Sequence, residues 1–315
     1  MVDVDSIAGW VGWTRNDTGT YGGDSGGTRN PVLGNILRIA HPWRVNSEPK
    51  RYGGGGRQYQ AVNYKRKLID FLLEMELIDD NAANSLLALF FQDANGPDGA
   101  TGAITPGTTG QCVDSVFEYQ YGTDYRLLNG VVLSKLDWEA QENDSHKLTY
   151  SGFGQNYAEN GSAQGTLPST KPTDSIIQTY GDATLELEDS ILNDWLVPTY
   201  KMMFDNHAKP QFDGSSGSQY PQDITIHPLD ASIDLTFLEE SDRVKTALMD
   251  DLSQTMDIEF QIDLDTHARF IYIKFAGCQV NSDFPVGFTN QCGERRTTYQ
   301  FVPTEGITVD VKYNA

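Results

Sequence analysis

The sequence predicts a mainly β fold with short helices, arranged as two tandem domains of one kind. Three observations carry this prediction. Between Met256 and Phe275 apolar and polar side chains alternate more cleanly than anywhere else: Ile258, Phe260, Ile262 and Leu264 fall on one face, with Asp257, Glu259, Gln261 and Asp263 between them. Successive side chains on a strand point to opposite faces, so this spacing makes one apolar face and one wet, acidic face. The same unit stands earlier in the chain, where Glu118-Tyr119-Gln120 lines up with Glu259-Phe260-Gln261. The length of 315 residues fits two domains. They are expected at 31–155 and 181–315, with an N-terminal arm at 1–30 and a linker at 156–180.

The repeat extends beyond the first strand. Asp265-Thr266-His267 breaks the second-domain pattern and Arg269–Phe275 resumes it, which reads as an antiparallel hairpin; Gly122-Thr123-Asp124 takes the place of that turn in the first domain. Gly130 and Leu133-Ser134 then stand where Gly277 and Val280-Asn281-Ser282 stand, and Lys147–Tyr150 corresponds to Arg296–Tyr299. Upstream, Gly53–Gly56 with Gln58-Tyr59-Gln60 resembles Gly214–Gly217 with Gln219-Tyr220-Pro221-Gln222.

In chain order, Met1–Asn30 is rich in Gly, Asp and Thr and reads as an arm with Trp10 and Trp13 as its large apolar residues. Its Gly23-Asp24-Ser25-Gly26-Gly27 matches the surroundings of a serine-protease nucleophile, but no histidine precedes His41, so the order of a chymotrypsin-like triad is missing. Ile36–Trp43 and Ala61–Tyr64 read as strands. The glycine run between them, flanked by Lys50, Arg51 and Arg57, lacks the Lys-Ser/Thr end of a phosphate loop and reads as a contact loop. Lys65–Leu77 places Leu68, Leu72 and Met75 on one helical face, and Ser85–Phe91 reads as a short helix. Gly152–Thr173 is a polar loop joining the domains. In the second domain Thr184–Glu188 and Ile233–Phe237 alternate as strands, while Ile191–Met203, interrupted by Pro198, reads as a broken helix or loop. Ser241 can cap a helix over Asp242–Asp250, and Ile307, Val309, Val311 and Tyr313 mark a last strand.

Composition excludes several function classes. The net charge of −21, from 44 acidic and 23 basic residues, repels nucleic acid and anionic membranes. It suits a hydrated surface in high salt, or an acidic wall past which nucleic acid slides. No apolar run approaches the ~20 residues of a membrane span, and Met1-Val2-Asp3-Val4-Asp5 lacks the regions of a signal peptide, so a cytosol-like site of assembly is expected. Cys112, Cys278 and Cys292 are too few and scattered for a disulfide framework and are expected as free thiols. His41, His146, His207, His227 and His267 show no metal-ligand spacing, and Asp263 with Asp265 lacks the glycine and distal glutamate of a calcium loop. No cofactor, metal or catalytic set is expected, and the reading is not that of an enzyme.

The order strand, Gly-rich loop, strand, helix, hairpin, followed by Gly130–Ser134 and Gly152-Phe153-Gly154, is similar to that of the tail tube proteins of long-tailed viruses. The run through Phe284-Pro285-Val286-Gly287, Glu294-Arg295-Arg296 and Tyr299-Gln300-Phe301 resembles the same family in duplicated form. The resemblance implies two tandem tube-like β-sandwich or barrel domains that contribute strands to a ring-shaped β-barrel. Such rings stack into a virion tail tube, assembled in the host cytoplasm, through which viral DNA passes during ejection. It implies self-association as the main partnership: three duplicated chains per ring, carrying −63 (3 × −21), or six chains if the duplication fails, with other tail proteins at the tube ends. On this reading Glu118, Gln120, Asp257, Glu259, Gln261 and Asp263 are the candidate lumen-facing residues. The candidate ring-to-ring contacts are the N-terminal arm and the loops Gly53, Gly54, Gly55, Gly56, Arg57 and Gly214, Ser215, Ser216, Gly217. The acidity suggests a virus of a halophilic archaeon. Two other classes stay open: a carbohydrate- or receptor-binding or other structural module of a virion, using Tyr52, Tyr59, Tyr157 and Tyr220 as stacking platforms, and a hydrolase assembling distant carboxylates.

Overall fold

The computed structural model describes residues 11–16, 21–24, 26–32, 35–41, 43–50, 61–78, 86–91, 102–104, 113–167, 177–187, 196–212, 219–239, 255–263, 270–281 and 295–312. The first half holds β1 (Gly12–Arg15), β2 (Asn30–Pro31), β3 (Asn35–Ala40), β4 (Trp43–Lys50), β5 (Ala61–Glu76), α1 (Leu86–Phe90), β6 (Gly102–Ile104), β7 (Ser115–Tyr121), β8 (Asp124–Gln141), β9 (Lys147–Gly154) and β10 (Asn156–Asn160). The second holds β11 (Ala183–Leu187), β12 (Thr199–Asp205), β13 (Lys209–Gln211), β14 (Asp223–Thr225), β15 (Asp230–Glu239), β16 (Met256–Asp263), β17 (Phe270–Val280) and β18 (Arg295–Lys312). All but the β13–β14 pair join one 16-stranded sheet. The fold is therefore mainly β with short helices, as the alternation predicts.

Four strand pairings of the first half recur in the second. β7 and β8 pair as Ser115↔Val131 and then Phe117↔Leu128; β16 and β17 pair as Met256↔Cys278 and then Ile258↔Phe275. Each hairpin thus carries the same bulge, with Gly130 and Gly277 in it at φ 65° and 61°. Glycine is needed there because an L side chain at positive φ is strained. A Cβ would also stand 2.8 Å from Gln155 Cβ at Gly130, and 2.7 Å from Glu305 Cγ at Gly277. Around the hairpins, β1 flanks β7 as β11 flanks β16, and β5 pairs β9 as β15 pairs β18. β3 lies on β5 as β12 lies on β15.

One core serves both halves. Trp138 of β8 lies 5.2 Å from Phe260 of β16, Tyr200 of β12 lies 5.5 Å from the same ring, and Phe204 of β12 stacks on Phe275 of β17 at 5.8 Å. These strands are far apart in sheet order, so the sheet curls into a half-barrel with its apolar side inward. α1, Leu-Leu-Ala-Leu-Phe, is buried along its whole length, and Phe90 and Phe91 meet Phe204 edge-on.

Several local expectations are overturned. Lys65–Leu77 lies in and just past β5 rather than on a helix: Ile69, Phe71, Leu73 and Met75 are buried in alternation, and Leu72 lies half-buried on the opposite face. A strand period of two fits these residues better than the helical reading of Leu68, Leu72 and Met75. The end of Ile191–Met203 is strand β12, since Pro198 stands just before its first residue, where the missing N–H does no harm. Asn156–Asn160, expected within a loop, is β10 paired along β8. The expected arm contributes β1, with Val11 and Trp13 fully buried, because β7 needs an outer partner. The helix expected over Asp242–Asp250 lies outside the described residues.

Candidate assembly surface

The two halves meet edge to edge. β8 of the first half pairs with β12 of the second from Lys135↔Asp205 to Gln141↔Thr199. Backbone bonds continue past both ends, from Asn206 N to Ser134 O at 2.8 Å and from Glu142 N to Pro198 O at 2.8 Å. The ladder carries the sheet across the halves without a break, in the order β3, β5, β9, β8, β12, β15, β18.

The outer face of this sheet is polar because its strands alternate. On β8, Leu136, Trp138 and Ala140 are buried, and Lys135, Asp137, Glu139 and Gln141 point the other way. One cross-strand row runs Asn35, Glu76, Lys147, Glu139, Lys201, Asp234, Gln300; the next runs Arg38, Glu74, Thr149, Asp137, Met203, Ser232. Bases sit among the acids: Arg38 bonds Glu74 at 3.0 Å, Lys201 lies 3.3 Å from Asp137, and Lys135 lies 2.9 Å from Asp205 across the seam. The hydrogen bond and charge of Asp205 raise the Lys135 pKa, and burial raises that of Asp234. A hollow of about 690 Å³ opens on this face between Lys135, Asp137, Asp205, Asp230, Asn281 and Gln300. At its rim His207 Nε2 contacts Asp230 at 2.5 Å.

Beneath the seam lies a buried histidine. His146 Nδ1 receives hydrogen bonds from Trp138 Nε1 at 3.2 Å and from the Tyr200 hydroxyl at 3.1 Å, one from each half. An indole nitrogen only donates, so Nδ1 is the acceptor and the ring proton sits on Nε2, donated to Thr179 O at 2.9 Å. Burial lowers the His146 pKa to about 4, which keeps the ring neutral.

The six residues expected to face a lumen do not share one face. Asp257, Glu259, Gln261 and Asp263 form the open side of β16, held by Lys274: its Nζ lies 3.1 Å from Glu259 and also pairs with Asp257. Lys274 and a backbone bond from Gly277 lower the Asp257 pKa. Because the apolar side of β16 packs onto Trp138 and Tyr200, its wet side points away from the wet side of β8 and β12. Glu118 is on neither. It is fully buried, accepts Arg29 Nε at 3.0 Å, and takes backbone bonds from Gln164 at 2.6 Å and Gly165 at 2.9 Å. Placing it on a wet face is corrected by this pairing, which neutralises a carboxylate inside the sheet. Gln120 is half-buried and bonds Gly122 O.

Arg29 also grips Asp24 with two bonds, at 2.9 and 2.7 Å, so Asp24 of the protease-like stretch anchors a buried arginine. Burial opposes the charge on Asp24, but the bonds from Arg29 and from Gly26 N hold its pKa below the ordinary value. The proposed ring-contact residues Gly53, Gly54, Gly55, Gly56, Arg57, Gly214, Ser215, Ser216 and Gly217 lie outside the described residues. Of the aromatic platforms, Tyr157 stacks on His41 at 4.7 Å and Lys67 sits 5.5 Å over the Tyr220 ring. Tyr52 and Tyr59 lie outside the described residues. Cys278 is a buried free thiol, raised by burial to about 12. Among the described residues no group of three or more His, Cys, Asp or Glu is placed to hold a metal ion, and no helix is long and apolar enough to cross a membrane.

The seam face was within reach of sequence reading. Lys135-Leu136-Asp137-Trp138-Glu139-Ala140-Gln141 alternates as strictly as the hairpin strand does. No protein-family model matches the chain, and no curated protein matches it.

Proposed function

We propose that the protein is a structural subunit of a hollow tube, the tail tube of a long-tailed virus of the kind its sequence resembles. The observation that carries this reading is the β8–β12 seam. Two halves that share four strand pairings are joined through strand edges, in a way that extends a single polar sheet rather than capping it. A ring built by repeating that junction leaves no free edge along the seam sheet itself. Three chains would supply six repeats.

In such a ring the lumen wall is the seam face, with Glu74, Glu76, Asp137, Glu139, Asp205 and Asp234, rather than the hairpin face of Asp257, Glu259, Gln261 and Asp263. Duplex DNA carries one charge per ~1.7 Å and is repelled by net negative charge, so it passes without sticking. Lysines and Arg38 within the wall moderate the repulsion locally. The overall charge of −21 fits assembly in concentrated salt, where screening removes self-repulsion, and the halophilic-virus reading rests on this composition.

Negative-stain imaging of concentrated protein in multimolar salt tests the reading. Hollow tubes with a regular axial repeat, or closed rings, support it; a monomer at every salt and protein concentration contradicts it. A glycan-binding virion module is less favoured, because the Tyr157 and Tyr220 rings are already engaged by His41 and Lys67.

A further inference from the structure

We infer that the outer edge of β3 is the docking edge for a second copy of this chain, which presents the end of β17 at Asn281. This rests on the tube reading and names the surfaces that close the ring. The argument starts from the repeat. β12 is the second-half counterpart of β3: each lies antiparallel on the strand that pairs with β9 or with β18. β12 has a neighbour on both sides, β15 and β8. Among the described residues β3 has one, β5.

The position facing the missing neighbour is uncovered. β3 carries a bulge between Ile36 and Arg38, so Leu37 is the extra residue. In the second half, Leu196 O accepts the Leu238 N–H and Thr199 pairs with Thr236, which makes Pro198 the matching residue. Pro198 is buried and its carbonyl accepts the Glu142 N–H across the seam. Leu37 is 43% exposed. A leucine left open on an edge that no strand pairs among the described residues, where its twin is covered by a paired strand, marks a place where a strand can add.

The occupant follows from the same comparison. β8 is the strand on β12, and the shared bulge aligns Gly130 with Gly277, so the counterpart of Ser134 on β17 is Asn281. Ser134 O accepts from Asn206 N where β8 enters the seam. A second chain presenting Asn281 to the β3–β4 edge would repeat that entry. The contact is head-to-tail, using different surfaces on the two chains, and such contacts close into rings when the rotation permits.

The test compares assembly of the full chain carrying Leu37→Lys with that carrying Thr184→Lys, a lysine on the edge strand β11 at the other end of the sheet. A charge on an edge blocks pairing. The inference expects Leu37→Lys to keep the wild-type circular dichroism and melting profile yet lose rings and tubes, and Thr184→Lys to assemble as wild type. Hydrogen exchange on wild-type protein gives an independent readout: amides of 35–40 should gain protection on assembly. Wild-type tubes without that protection, or tubes from Leu37→Lys, overturn the edge assignment and leave the tube reading standing. Loss of assembly in both variants also overturns it, because the effect is then not specific to β3. Wild type that stays monomeric throughout overturns the tube reading and the edge assignment with it.

Discussion

Glu118 and Glu259 hold the same place in the two copies of one hairpin, yet Glu118 is sealed against Arg29 at 3.0 Å while Glu259 lies on an open face 3.1 Å from Lys274. Removing a partner from a buried pair leaves the other charge stranded, at about 3–5 kcal/mol, whereas an exposed substitution falls within about 0.5 kcal/mol. Glu118→Ala is therefore expected to lower the urea midpoint sharply, and Glu259→Ala to leave it nearly unchanged. Equal effects would show that Glu118 is not buried with its partner.

Three hairpin glycines, one in a turn and two in bulges, give a graded series. Gly122, Gly130 and Gly277 all have positive φ, but only at Gly122 does an added Cβ meet nothing within 4 Å. Backbone strain alone costs about 1–2 kcal/mol; the clash with Gln155 or Glu305 adds to it. Chemical denaturation should rank Gly122→Ala as the mildest of the three, with Gly130→Ala below it in stability.

Stability should fall with acid through two histidines. Burial lowers both His41 and His146 to about 4 from the ordinary 6.5. The unfolded chain therefore binds protons first as pH drops, so their contribution is complete above about 6.5 and is lost progressively down to about 4. Each unit of difference is worth about 1.4 kcal/mol. Urea unfolding at pH 7.5 and pH 4.5 should show this loss, and His146→Gln should flatten the dependence. A variant with the wild-type slope would contradict the role of His146.

The seam is held by what lies under it more than by its ion pairs. Lys135–Asp205 is solvent-exposed and worth about 0–1 kcal/mol. Phe260, fully buried against Trp138 and Tyr200, is worth about 3–5 kcal/mol on truncation to Ala. Thermal melts of Lys135→Ala and Phe260→Ala should differ accordingly.

The hairpins and their repetition were legible because Ile258, Phe260 and Ile262 alternate against solvent on one side, which prints a period of two. β5 was not. Leu68, Leu72 and Met75 mimic a helical face because Leu72, on the polar side of the sheet, is itself apolar. Gly12–Arg15 carries too short a pattern to betray a strand, and its assignment depends on β7, about a hundred residues later, lacking an outer partner. That the six candidate lumen residues do not share one face was hidden for a different reason. Alternation marks which side of a strand is wet, but only the contact of Phe260 with Trp138 reveals that two wet faces lie on opposite sides of the core.

The most direct test of the account is the mass of the smallest closed assembly, measured in multimolar salt beside images of the same sample. A chain of 34.9 kDa that supplies two repeats should give a ring of three chains, 104.7 kDa (3 × 34.9), stacking into hollow tubes. A monomeric mass at every concentration, with no rings or tubes in the images, would contradict it.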